Sequence, residues 1–80
     1  MIITPVESTT LVGVAYDAAT QILYLEFRDH TAYCYLGVPG VVHGELLSAA
    51  SKGAYFNSAI RGRFSYQRSL VHRSKWPAGI

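Results

Sequence analysis

Hydrophobic periodicity changes once along this chain, at Gly37-Val38-Pro39-Gly40, and that change limits the folds open to it. Before it, residues 10–16, 22–27 and 32–36 alternate apolar and polar side chains at period two, the pattern of half-buried strands. Pro39 lacks the N–H that a central strand must donate, so the sheet pattern stops there. After it, Val42, Leu46, Ala49 and Ala50 fall at i, i+4, i+7 and i+8, one stripe of a helix over 41–50. Gly53 is placed to end that helix in the left-handed conformation. Phe56 and Ile60, one turn apart, predict a second short helix over 54–61. The expected class is α+β, a three-stranded antiparallel β-meander followed by two short helices packed on one face. Phe64-Ser65-Tyr66 is a candidate further strand or a strap across the sheet.

With 80 residues the chain has room for a single domain, 1–80, with its core at about 6–68 and a basic, flexible tail at 69–80. An apolar content of 50 % and aromatic content of 12 % exclude disorder as the main state. No apolar run approaches the ~20 residues of a membrane helix, and the N-terminus has no signal-peptide pattern. A single cysteine, Cys34, excludes a disulfide framework and does not by itself make a zinc site. The expectation is a soluble cytoplasmic domain that meets no membrane and needs no cofactor. Charge is the more informative quantity. Residues 1–51 hold five acids and one base, a balance of −4, whereas 52–80 hold six bases and no acid, a balance of +6. Such asymmetry points to a polyanionic partner, unless body and tail neutralise each other.

If Asp29-His30 is a two-residue turn, 27 faces 32, 25 faces 34 and 24 faces 35. Leu23, Leu25, Phe27, Cys34 and Leu36 then share the apolar side, and Cys34 is expected to be a buried, unreactive core thiol. Tyr24, Glu26, Tyr33 and Tyr35 share the other side. Tyrosines on an antiparallel face suit the stacking of unpaired bases, although Glu26 among them repels phosphate and the same residues also suit ordinary strand packing. A second candidate is the run 51–61. Lys52 and Gly53 lie at a helix start that can attract an anion, and Asn57 and Arg61 are one turn apart, able to share a ligand. Lys52, Arg61 and Arg63 would then neutralise phosphates. No catalytic set is legible, since His30, His43 and His72 are scattered and no serine lies in a nucleophile motif. The chain is expected not to be an enzyme and to hold no metal.

One further pattern spans most of the chain. Val6, Ser8-Thr9, Tyr16-Asp17, Leu25-Glu26-Phe27, Tyr33-Cys34-Tyr35, Val38-Pro39 and Ser51-Lys52-Gly53-x-Tyr55-Phe56-Asn57-x-x-Ile60-Arg61 together resemble the KTSC domain. That domain is found at the C-terminus of some bacterial lysyl-tRNA synthetases and also as free-standing small proteins. The resemblance covers about residues 6–68 and directs attention to Tyr33, Tyr35, Lys52, Gly53, Asn57 and Arg61. It implies no established activity, and RNA binding is suggested for the family through the synthetase association. At the hairpin tip, Asp29-His30 departs from the expected Asp-Gly or Asn-Gly. Two readings follow. One is a small module that binds RNA or other single-stranded nucleic acid through Tyr24, Tyr33, Tyr35, Lys52, Gly53, Asn57, Arg61 and Arg63. The other is an accessory domain with a protein partner, or one that self-associates, in which these residues serve the fold.

Overall fold

The computed structural model describes residues 3–5 and 11–69, over which five antiparallel strands form one sheet in sequence order. They are β1 (Ile3–Pro5), β2 (Leu11–Asp17), β3 (Ile22–Phe27), β4 (Ala32–Tyr35) and β5 (Tyr66–Arg68). Between β4 and β5 run α1 (Gly40–Ser48), α2 (Lys52–Tyr55) and a π-helical segment, Phe56–Ile60, that continues directly from α2. The α+β class and the order of strands followed by helices are as the periodicity predicts. Two flanking strands join the expected three: β1, and β5, which overlaps the candidate further strand at Phe64-Ser65-Tyr66 only at Tyr66. Each is only three residues long, too short for alternation to register. The proposed tail over 70–80 lies outside the described residues.

The register of β3 against β4 differs from expectation by one residue, with a large consequence. The turn holds three residues, Arg28, Asp29 and His30, closed by Phe27 N–H donating to Thr31 O at 2.8 Å and His30 N–H donating to Phe27 O at 2.9 Å. His30 alone takes positive φ, at 71°. A two-residue turn needs positive φ at both central positions in type I′, or at the first, normally a glycine, in type II′. Without glycine the chain adopts the longer loop, with positive φ at His30. Leu25 therefore pairs with Tyr33, and Tyr24 with Cys34. A one-residue slip turns every side chain of a strand to the other face. Tyr33 and Tyr35 thus join Leu23 and Leu25 on the helix side, not Tyr24 and Glu26 as expected. Cys34 goes the other way, into a small cluster with Tyr24, Ala15 and Ala32, and is half-buried rather than a core thiol. Burial pushes that thiol's pKa up, opposed by a hydrogen bond with Ser69.

The main core lies between the sheet and the helices. Leu11, Val14, Leu23 and Leu25 from the strands meet Val38, Leu46 and Ile60, all fully buried. Each such aliphatic side chain contributes about 1.5–3 kcal/mol by leaving water. Leu11 and Val14, three residues apart, both reach this side because a bulge between Leu11 and Gly13 shifts the strand by one position. The helices also divide differently from expectation. α1 stops at Ser48, and Gly53 lies inside α2 instead of ending α1. Ser51 is the cause. Its Oγ accepts from Ala54 N–H at 3.3 Å and caps a new helix, satisfying a donor that a continuous helix end would leave open. Among the described residues, no helix is long and apolar enough to cross a membrane.

Candidate functional site

The slipped register gathers aromatic rings at one end of the sheet. Tyr33 and Tyr35 on β4, Phe27 at the end of β3 and Tyr66 on β5 point to the same side as Phe56 of the π-helical segment. They meet edge to face, the arrangement aromatic quadrupoles favour. Phe27 lies 5.7 Å from Tyr33 and 5.3 Å from Phe56, Tyr33 lies 5.6 Å from Tyr66, and Tyr35 lies 5.7 Å from Phe56. Tyr66 also tilts over Tyr35 at 5.5 Å, yet remains 60 % exposed on its edge strand. These five rings floor a cleft of about 580 Å³.

Polar groups rim the cleft from two directions. Arg28, Asp29 and Thr31 come from the β3–β4 turn, and Asn57 and Arg61 from the π-helical segment and its C-cap. The π geometry places that second pair. Arg61 N–H reaches back five residues to Phe56 O at 2.8 Å, an extra residue in the last turn, and such insertions often mark functional sites. Gly62 then reverses the chain at φ 75°, a conformation that favours glycine, and also lines the cleft. The Arg61 guanidinium, which lines the cleft, donates to Asn57 Oδ1 only loosely, at 3.5 Å, and no other described side chain accepts from it. Asp29 Oδ1 accepts from Thr31 N–H at 3.0 Å and from Thr31 Oγ1 at 2.6 Å, which holds the carboxyl below the usual carboxylate range. Burial pushes the Tyr35 hydroxyl up to about 12, so it stays protonated at any physiological pH.

Of the sequence candidates, Tyr33, Tyr35, Asn57 and Arg61 converge on this cleft. Arg63 borders a shallow neighbouring depression that shares Gly62 and Tyr66, with its Nε donating to Ser58 O at 3.2 Å. Tyr24 lies on the opposite face with Glu26, so the acid thought to oppose phosphate is turned away from the rings. Lys52 and Gly53 line no part of the cleft. The Lys52 ammonium donates to Ala49 O at 3.1 Å, closing the end of α1. Sequence reasoning missed Phe27, Phe56 and Tyr66 as cleft residues, and Arg28, Asp29 and Thr31 on its rim. The Asp-x-Thr spacing of 29 and 31 was the legible signal for a side-chain-bonded turn.

Comparison with known proteins bears on what this arrangement belongs to. The family model described as the KTSC domain matches residues 7–64. The chain belongs to the KTSC family. A protein of Tsukamurella paurometabola is 42 % identical over 60 residues, which span 75 % of this chain and 90 % of that one. A lysine–tRNA ligase of Trichormus variabilis is 43 % identical over 53 residues, 66 % of this chain but only 9 % of the ligase. The crystal structure of a KTSC domain protein from Yersinia pestis superposes with a TM-score of 0.82 at 35 % identity, covering 85 % of this chain and 96 % of that one.

Proposed function

We propose that this KTSC domain is a non-catalytic module that binds single-stranded nucleic acid, RNA foremost, in the aromatic cleft. One observation carries the reading: the exposed ring of Tyr66 shares the cleft with the uncommitted guanidinium of Arg61. Every base has a π-face to stack on a ring, and every nucleotide brings a phosphate for a guanidinium. The flanking charge agrees. Arg61, Arg63 and Arg68 are exposed, whereas Asp17 and Glu26 are buried on the far side. Relatives that are lysine–tRNA ligases add a setting in which RNA is at hand. A non-catalytic role is supported by the titratable groups of the cleft. The Asp29 carboxyl, held below the usual range by Thr31, is a weak base, and the Tyr35 hydroxyl lies too high to serve as a general base near neutral pH.

Fluorescence anisotropy with a labelled uridine hexamer at low salt tests this. Tyr66→Ala is expected to weaken binding by about 1–3 kcal/mol without changing its salt dependence. Arg61→Ala is expected to reduce the slope of log K against log salt by about one, as for one lost phosphate contact. Circular dichroism confirms that both variants fold. A folded wild-type chain that binds no oligonucleotide at low salt overturns the proposal and leaves the accessory, protein-binding role.

A further inference from the structure

A cleft that needs only to hold phosphate has no use for a carboxylate, yet Asp29 lines this one beside Arg28 and Arg61. The Thr31 contacts explain only half of the side chain. Both fall on Oδ1; the carboxylate also draws on the Asp29 backbone N–H, and no other described residue donates a hydrogen bond to Oδ2. An ionised carboxylate only accepts hydrogen bonds, so Oδ2 offers two lone pairs to whatever enters the cleft. Arg61 on the rim and Arg68, which attracts the Asp29 carboxylate, bring positive charge to this end of the sheet, which disfavours a cationic ligand and favours neutral N–H donors. Resting on the nucleic-acid reading, we propose that the cleft selects guanine, whose N1–H and exocyclic N2–H donate together to Asp29 Oδ2 while the ring stacks on the aromatic floor.

The chemistry separates the four bases. Guanine alone presents two adjacent N–H donors on its Watson–Crick edge. Adenine and cytosine each place a ring-nitrogen acceptor beside their amino group, and uracil flanks a single N–H with two carbonyls. Toward an acceptor-only group, each of those three brings a lone pair against a lone pair.

Binding of the full 80-residue chain to uridine hexamers carrying one central guanosine, adenosine, cytidine or inosine tests the assignment. The guanosine hexamer is expected to bind about tenfold more tightly than the adenosine or cytidine one. Inosine, which keeps N1–H but lacks the amino group, is expected to fall between. Asp29→Asn is the decisive variant. Its amide oxygen can still accept from Thr31, so the turn survives, while its NH₂ replaces Oδ2 and turns an acceptor into a donor. Guanosine preference is expected to vanish in it, with adenosine binding unchanged or tighter. Equal binding of guanosine and adenosine by the wild type, or a preference that persists in Asp29→Asn, overturns guanine selection. If the wild type binds all hexamers equally and Tyr66→Ala weakens that binding, guanine selection fails while the nucleic-acid reading stands. If it binds none, both fail.

Discussion

His43 links local packing to the pH dependence of stability. Its imidazole stacks on Tyr16 with centroids 4.8 Å apart, and its buried Nε2 has no hydrogen-bond partner among the described residues. Tyr16 is itself held in place, donating its hydroxyl to Val38 O at 2.6 Å. Burial without a partner disfavours the imidazolium, so the pKa of His43 is lowered. The sign then follows. The unfolded chain takes up the proton first, near its ordinary pKa of about 6.5, so folding loses stability as pH falls from there through the folded value. The Asp29 carboxyl, held low by Thr31, acts in a separate window below the ordinary carboxylate range. The urea midpoint is expected to fall between about pH 8 and about pH 5.5, and His43→Phe, which keeps an aromatic ring on Tyr16, is expected to flatten that dependence. A midpoint that does not move over this interval, or one that moves equally in the variant, contradicts the assignment.

At the scale of elements, what the sequence made legible follows from how many residues share a signal. β2, β3 and α1 each present several apolar positions at one period and lie within a residue or two of their expected places. β1 and β5 span three residues each; β1 presents none, and β5 was legible only as the candidate strand or strap at 64–66, which overlaps it at Tyr66. The β3–β4 register hung on a single torsion angle, because the turn Arg28-Asp29-His30 contains no glycine to declare which residue takes positive φ. That one uncertainty decided the faces of Tyr33, Cys34 and Tyr35, and with them the composition of the site. Asn57 and Arg61 were legible as a pair because helical spacing alone joins them. The π insertion that sets them on the rim has no local pattern to read. Holding His30 at φ 71° costs about 1 kcal/mol against glycine, part of which is returned by the stiffer unfolded chain. His30→Gly is therefore expected to raise stability by about 0.5–1 kcal/mol in urea titration. A loss of stability would show that the turn does not strain the backbone there.

For the molecule as a whole, the division of labour is between the two sides of one sheet. The helices cover one side, and the aromatic cleft opens where their last turn leaves Phe56, Asn57 and Arg61 beside β4 and β5. The opposite side keeps Asp17 and Glu26 buried away from that opening. Polyanion binding at the cleft and acidic groups at the back are thereby compatible in one small domain. The central claim is one of place: ligand meets the end of the sheet where β4, β5 and the π-helical segment converge. Mapping backbone amide shifts by NMR during titration with a uridine hexamer tests this most directly. The expected result is a contiguous set of shifts at Tyr33, Tyr35, Asn57, Arg61 and Tyr66. Shifts confined to Tyr24, Glu26 and Cys34, or to the Lys52–Gly53 junction, would contradict it.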